Sequence, residues 1–139
     1  MRKILCISHG NLAKGMTETV KMIVGDFKTI DYYCAYSKED EDIEREINRI
    51  IEENHGNELF VISDIFGGRV NNEWMKRINN DNSIHLVAGM NVAFVIELLV
   101  LINDSQMKGD EAILRAMKTA TEGFIYCNQL KMNISEDDI

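Results

Sequence analysis

The chain has 139 residues, of which 45% are hydrophobic, and this is the size and composition of one domain with a single core. Its net charge of −8 argues against binding to nucleic acid or to anionic membranes, because both repel an acidic surface. The three cysteines, Cys6, Cys34 and Cys127, are scattered and form no CxxC or Cys/His cluster. They are predicted to be reduced thiols packed in a core, and a zinc site is not expected.

Apolar, β-branched runs alternate along the chain with segments of helical periodicity. The predicted strands are Lys3–Ser8, Thr29–Tyr36, Glu58–Asp64 and Ser83–Ala88. The predicted helices are one through Met16, Val20 and Ile23, then Glu39–Asn54, Glu73–Ile78, one from near Val92, and Asp110–Glu122. This alternation predicts an α/β fold with a doubly wound, mostly parallel sheet of four strands and helices on both faces.

The sequence has no signal-peptide or membrane-spanning pattern, so a cytoplasmic protein is expected. The N-terminus enters a strand at once and has no apolar segment of signal-peptide length. The longest apolar run, Val92 to Ile102, is interrupted by Glu97 and falls short of the roughly 20 residues that a spanning helix requires.

After Gly123, the segment Phe124–Leu130 is predicted to form a last strand, and the tail beyond it is predicted to be frayed.

The candidate chemistry lies where the first and third predicted strands end. In open α/β sheets, ligands bind beyond the carboxyl ends of the strands. His9 follows the first strand and Asp64 ends the third, so the sheet places an imidazole and a carboxylate along the same rim. A neutral imidazole is a nucleophile near neutral pH, and a carboxylate bonded to one ring nitrogen leaves the other free to attack a phosphoryl group. The same carboxylate would stabilise the ring as it becomes cationic.

Glycines beside these two residues fit the binding of phosphoryl oxygens. Gly10, Gly67 and Gly68 let the main chain come close to an anion, and the N-termini of the following helices would point amides at it. Arg69 can add a charged hydrogen-bonding fork. Each feature also has a purely structural interpretation, because a histidine after a strand is often a surface loop residue and a double glycine is often a simple turn.

The other two histidines are interpreted as structural. His55 precedes Gly56 at the predicted end of a helix, where an imidazole interacts favourably with the helix dipole. His85 alternates with apolar residues in the fourth strand, which predicts a solvent-facing or edge position.

Three segments resemble a known family. SHGNLAKG at 8–15, SDIFGGRVNN at 63–72 and GMNVAFVIELL at 89–99 are similar to segments of the mannose-type IIA domains of the bacterial phosphoenolpyruvate-dependent sugar phosphotransferase system (PTS), in the same order and spacing. The similarity extends over nearly the whole chain. It divides the chain into a IIA domain at residues 1–131 and an acidic tail at 132–139, for which disorder is predicted.

The resemblance implies a phosphotransferase component that works in sugar uptake. His9 would accept a phosphoryl group from the phosphocarrier protein HPr and pass it to a IIB domain, with Asp64 as the neighbouring acid. The chain would associate with the membrane components IIC and IID only through IIB. The family fold adds an antiparallel fifth edge strand, here Phe124–Leu130, that members can exchange between subunits of a homodimer. No metal or organic cofactor is implied.

The sequence departs from the family pattern at two places. Arg69-Val70 stands where the family usually has Ser-Pro, and Ala93 replaces a frequent proline, whereas Asn72 keeps a family asparagine. Asn72 is therefore grouped with the glycines as phosphoryl-binding, and Arg69 either replaces the lost serine hydroxyl or serves partner recognition. Two other functions stay open: the phosphocarrier subunit of a dihydroxyacetone kinase, and a regulatory module that binds partners according to its phosphorylation state.

Overall fold

The computed structural model describes residues 1–130, and within this range the predicted α/β architecture is confirmed. The strands are β1 (Arg2–His9), β2 (Ile30–Ala35), β3 (Glu58–Ser63) and β4 (Ile84–Ala88). The helices are α1 (Leu12–Val24), α2 (Ile43–Glu53), α3 (Arg69–Ile78), α4 (Val92–Leu101) and α5 (Gly109–Glu122). One 3₁₀ turn, Cys127–Gln129, follows α5.

The four strands form a parallel sheet in the order β2-β1-β3-β4. The chain therefore runs outward from β1 to β2 and returns on the other side of β1 to form β3. This reversal of strand order opens a crevice between the carboxyl ends of β1 and β3, which is where doubly wound folds bind ligands. The register pairs Ile7 with Ser63 and His9 with Ala35, so the ends of the three strands lie side by side.

Apolar side chains cover both faces of the sheet because successive residues of a buried strand point to opposite sides. On one face, Ile4 of β1 and Phe60 of β3 pack against α1, α4 and α5. On the other face, Leu5 and Val61 pack against α2 and α3. The two clusters share the sheet, so the domain has one layered core that fixes the ends of β1 and β3 relative to each other.

A polar cluster fastens the amino-terminal end of the sheet to the loop between α4 and α5. Glu58 of β3 accepts hydrogen bonds from Arg2 Nε at 2.8 Å and lies 2.7 Å from His85 Nε2. The Arg2 guanidinium also donates to the Met107 carbonyl at 2.5 Å. The His85 ring stacks on Phe60, with ring centroids 4.7 Å apart. His85 is thus at the sheet edge, as predicted, but it is held by these contacts rather than pointing into solvent.

Two helices begin four residues away from their predicted starts. The structure starts α2 at Ile43 instead of Glu39, because Asp42 is the N-cap, with its side chain accepting the Arg45 N–H. It starts α3 at Arg69 instead of Glu73, with Gly68 as the N-cap. The second difference matters for the site, because it brings the first turn of α3 directly to the Gly67-Gly68 turn.

The C-terminal part of the described chain differs from the prediction. Residues 124–130 contain the 3₁₀ turn and no strand, so the antiparallel fifth strand predicted over Phe124–Leu130 is absent from the described single chain. A strand needs a hydrogen-bonding neighbour, and here the side chains of Phe124, Ile125 and Tyr126 are exposed. Cys127 is exposed as well, which corrects its predicted place in a core. The predicted disordered tail, 132–139, lies outside the described residues.

Candidate functional site

His9 ends β1 at the rim of the crevice, and a tight turn follows it. The Ser8 hydroxyl accepts the Ala13 N–H at 2.7 Å and donates to the Gly10 carbonyl at 3.0 Å, which ties the strand end to the first turn of α1. Gly10 has φ of +60° and donates its N–H to the Ala35 carbonyl at 2.9 Å. The left-handed conformation favours glycine at this position and turns the chain immediately after the histidine.

Asp64 follows β3 and binds His9 through one carboxylate oxygen. Oδ2 accepts the His9 backbone N–H at 2.9 Å and lies 2.9 Å from the ring nitrogen Nδ1. Oδ1 accepts the Ile65 N–H at 3.0 Å, which fixes the carboxylate itself. Since a carboxylate accepts hydrogen bonds, the proton of a neutral His9 ring is held on Nδ1, and Nε2 carries the free lone pair. Within residues 1–130, no group forms a hydrogen bond with Nε2.

The electrostatics of the pair keep Asp64 ionised. Partial burial of the Asp64 carboxyl opposes ionisation, but the hydrogen bonds from the His9 backbone and ring outweigh this, so its pKa lies below the ordinary value. The side chain of Asp64 is 11% exposed, whereas that of His9 is 42% exposed. The acid is therefore sheltered behind a ring that a partner protein can reach from solvent.

The turn Gly67-Gly68 lies beside the His9 ring. A Cβ atom placed on Gly68 would be 3.3 Å from His9 Cε1, closer than ordinary van der Waals contact. Gly67 has φ of +81°, and its N–H is 3.4 Å from the amide oxygen of the buried Asn71. Asn71 also donates to the Ser63 hydroxyl at 2.9 Å. The side chain of Asn71 thus anchors the glycine turn to the end of β3.

The structure gathers most of the predicted site residues around the ring. His9, Asp64, Gly10 and the two turn glycines surround the carboxyl ends of β1 and β3. Asn72 donates from Nδ2 to the Gly67 carbonyl at 3.3 Å, which supports the turn. Arg69 is exposed at the first position of α3, and its guanidinium forms no hydrogen bond or ion pair within the described chain. Phosphoryl binding by Arg69 and Asn72 stays a prediction.

Sequence reasoning missed two residues of the site. The ring of Tyr36 stacks on the His9 ring, with centroids 5.4 Å apart and an interplanar angle of 22°. No pattern in the sequence pointed to it beyond its place at the end of the second strand. Asn71 was also missed, although an Asn-Asn pair just after two glycines is a signal for side-chain hydrogen bonds to a turn.

A metal centre has no basis in the part of the chain that the structure describes. Residues 1–130 contain no group of three or more His, Cys, Asp and Glu side chains arranged to hold an ion. The chemistry available at the site is that of an accessible imidazole with an oriented acid, next to backbone amides at helix N-termini.

Comparisons with known proteins identify solved structures that share this fold. A solved structure from Klebsiella pneumoniae, described as a putative phosphoenolpyruvate-dependent sugar PTS permease, is 33% identical, with a TM-score of 0.85 and 92% of each chain covered. The PTS IIA protein associated with the fucose utilization operon of Streptococcus pneumoniae is 29% identical, with a TM-score of 0.70, covering 84% of this chain and 89% of that one.

A more distant structure shares the fold. The mannose/sorbose specific IIA subunit from Enterococcus faecalis is 22% identical, with a TM-score of 0.70 and 97% of each chain covered. Among curated protein sequences, none matches the chain significantly. The family model described as the PTS system fructose IIA component matches residues 3–116, which is most of the chain. The chain therefore belongs to this mannose-type IIA family and is a sugar PTS IIA component.

Proposed function

We propose that the protein is a phosphoryl carrier that accepts a phosphoryl group from phospho-HPr on His9 and passes it to a IIB domain during sugar uptake. The observation that supports this best is the contact of 2.9 Å between Asp64 Oδ2 and His9 Nδ1. It sets the tautomer of the ring and leaves Nε2 as the nucleophile, on a side chain that remains accessible. The family supports phosphotransfer in general, and the geometry supports this particular atom.

The transfer conserves atoms and charge at each step. The lone pair of His9 Nε2 attacks the phosphorus of phospho-HPr, a P–Nε2 bond forms, and the P–N bond of the donor breaks with its electron pair returning to the HPr histidine. The proton stays on Nδ1, so the phosphorylated ring is cationic and its contact with Asp64 strengthens. In the second step the acceptor of IIB attacks phosphorus, and the electron pair of the P–Nε2 bond returns to the ring.

Charge on the three equatorial oxygens is stabilised by groups around the ring. The first turns of α1 and α3 carry amides without intrahelical acceptors, and the glycines Gly10, Gly67 and Gly68 leave the backbone open to an anion. We assign Arg69 and Asn72 to the same role. A carrier must release its phosphoryl group, so these contacts are expected to stabilise the transition state more than the phosphohistidine.

We place this chemistry in the cytoplasm on the basis of the family to which the chain belongs. Among residues 1–130, none of the helices combines the length and apolar character needed to cross a bilayer. Association with the membrane components IIC and IID would run through the IIB domain. The net charge of −8 makes nucleic acid an unsuitable partner.

Phosphorylation by purified general PTS proteins tests the proposal. The protein is incubated with phosphoenolpyruvate, enzyme I and HPr, and acid-labile phosphoprotein is quantified before and after a IIB domain is added. We expect the wild-type protein and His55→Gln to be labelled and His9→Gln to remain unlabelled. Addition of IIB should rapidly remove the label. His55 is a suitable control because it is exposed and lies just before the amino-terminal end of β3, whereas His9 lies at the carboxyl end of β1. Labelling that survives His9→Gln would contradict the proposal, and so would phosphoprotein that IIB leaves unchanged.

We also propose that two copies associate through β4 and the segment 124–130. β4 is the outermost strand on its side of the sheet. Beside it lies a cavity of about 170 Å³, lined in part by Val87, Phe94 and Met117. The same chain carries exposed apolar side chains after α5, among them Phe124 at 89% exposure. Within residues 1–130 the outer edge of β4 has no neighbouring strand, and such an edge together with a solvent-exposed apolar segment is typical of self-association.

The molar mass in solution tests the dimer. Wild type is expected to elute at twice the chain mass in size-exclusion chromatography with light scattering. Phe124→Asp combined with Tyr126→Asp should give a monomer, because each charge would be buried without a partner. Met22→Asp on α1, at a side chain of similar exposure, serves as the control and should leave the dimer intact. A monomeric wild type at micromolar concentration would contradict the proposal.

A further inference from the structure

Tyr36 has a backbone conformation that tyrosine rarely adopts. It is the first residue after β2, and its φ is +60°, in the left-handed region that favours glycine. Bulky side chains are rarely found there, because the Cβ atom crowds the backbone. Such a residue persists only when its surroundings hold it, and strained residues of this kind concentrate at functional sites.

The carboxylate of Glu41 holds Tyr36 in this conformation. It accepts the backbone N–H of Tyr36 through Oε2 and the hydroxyl of Tyr33 through Oε1. Burial of the Tyr33 hydroxyl and its hydrogen bond to Glu41 raise the pKa of Tyr33, so it remains a donor at all physiological pH values. Glu41 therefore bridges β2 and the start of the following loop, and the backbone of Tyr36 is fixed from one side.

The consequence of this conformation is the position of the Tyr36 ring. Ala35 pairs in register with His9, so Tyr36 leaves β2 directly beside the histidine. Its ring stacks on the His9 ring at a centroid distance of 5.4 Å. Asp64 holds the ring edge at Nδ1, and Gly68 lies next to Cε1. The imidazole is thus confined on its Nδ1 and Cε1 sides and on one face, while Nε2 stays open.

We propose that Tyr36, fixed by Glu41, is a positioning residue that holds the His9 ring in the orientation required for phosphoryl transfer. The inference rests on the proposed function and deepens it. Stacking removes rotation of a partly exposed ring about its side-chain bonds, which places Nε2 for in-line attack. The electron-rich face of tyrosine also stabilises the positive charge that the imidazole acquires when Nε2 is phosphorylated.

Three variants distinguish the role of the Tyr36 ring from that of the Tyr36 backbone conformation. Tyr36→Phe keeps the ring and loses only the hydroxyl. Tyr36→Gly loses the ring but adopts the left-handed conformation without strain, so the loop is expected to keep its path. Tyr32→Leu is the matched control, because Tyr32 lies on β2 just before Tyr36 and has 40% exposure against 41% for Tyr36.

Rates of phosphorylation are measured as a function of phospho-HPr concentration. Tyr36→Gly is expected to lower the maximal rate by about three- to tenfold with little change in the half-saturating concentration. Tyr36→Phe and Tyr32→Leu should retain the wild-type rate. A rise in the half-saturating concentration at unchanged maximal rate would show that Tyr36 contacts the partner protein instead, and would overturn the proposal.

Nuclear magnetic resonance of the unphosphorylated protein provides a test that needs no transfer. The Tyr36 ring current should shift the carbon-bound ring protons of His9 upfield, and this shift should be lost in Tyr36→Gly and kept in Tyr36→Phe. Unchanged His9 signals in Tyr36→Gly would overturn the inference even if the protein is phosphorylated normally. A wild type with the expected ring-current shift that phospho-HPr fails to phosphorylate would instead overturn the proposed function.

Discussion

At Gly68 the backbone passes so close to the His9 ring that only glycine fits without a shift. Gly68→Ala would place a Cβ atom 3.3 Å from His9 Cε1 and 3.3 Å from Ile65 Cγ1. One of these neighbours must move by a few tenths of an ångström. We expect phosphorylation to slow by about tenfold, because a small misplacement of the nucleophile raises the barrier, with a loss of stability of less than roughly 1 kcal/mol.

The control for this prediction is another glycine-to-alanine change. Gly15 lies inside α1, where a Cβ atom would meet nothing within 4 Å. Gly15→Ala should stabilise the protein by about 0.5–1 kcal/mol through helix propensity and leave phosphorylation unchanged. Equal phosphorylation rates for Gly68→Ala and Gly15→Ala would show that the close approach of Gly68 has no influence on the histidine.

Asp64 is also expected to give the fold a dependence on pH. Its carboxyl has a lowered pKa in the folded protein, so its contribution to stability is complete above the unfolded value of about 4 and is lost as the pH falls through the folded pKa. Asp64→Asn should cost roughly 1–2 kcal/mol at pH 5, and this difference should shrink as the pH falls below about 4. Urea unfolding of both proteins across that range measures it. A difference that grows on acidification would contradict the assignment.

At the scale of elements, α5 begins against the polar cluster at the opposite end of the sheet from His9. A Cβ atom on Gly109 would overlap the Glu58 carboxylate and lie 2.7 Å from His85 Nε2. Glu58 cannot move aside easily, because Arg2 and His85 both bind it. Gly109→Ala should therefore lower the free energy of unfolding by about 1–3 kcal/mol. The phosphorylation rate of the folded variant should stay at the wild-type level, and a reduced rate would show unexpected coupling between the two ends.

The strands and most of the helices could be predicted because their signals are local. Buried parallel strands appear as short apolar runs, and amphipathic helices show their periodicity directly. The start of α2 was misplaced because Glu39 and its acidic neighbours look like a helix start, whereas Asp40 adopts φ of +56° and Asp42 caps the helix. The predicted strand Phe124–Leu130 shows the remaining difficulty, since a strand depends on a partner that local sequence does not specify.

The site could be predicted in part for the same reason. His9 ends one apolar strand and Asp64 follows another, and the doubly wound order places those strands side by side. Tyr36 could not be predicted, because its ring reaches His9 only through a left-handed backbone conformation that Glu41 maintains. Nothing in the residue types along β2 indicates that conformation.

For the whole molecule, two apolar layers on one sheet imply a single cooperative unit. Leu98 lies in the layer with α4 and Ile47 in the layer with α2, and both are fully buried. Leu98→Ala and Ile47→Ala should each cost about 2–5 kcal/mol, and each variant should still unfold in one transition. Fluorescence of the single tryptophan, Trp74, reports one layer, and circular dichroism reports all helices. Leu114→Ala, which truncates an exposed side chain, is the control. Separate transitions by the two probes would contradict a shared core.

The position of the phosphoryl group on the imidazole tests the central claim most directly. Protein labelled with ¹⁵N-histidine is phosphorylated through HPr, and long-range ¹H–¹⁵N correlations assign the two nitrogens of each ring. We predict that phosphorus is bonded to Nε2 of His9 and that Nδ1 is protonated and hydrogen-bonded to Asp64. Phosphorylation at Nδ1, or at any other residue, would contradict the account.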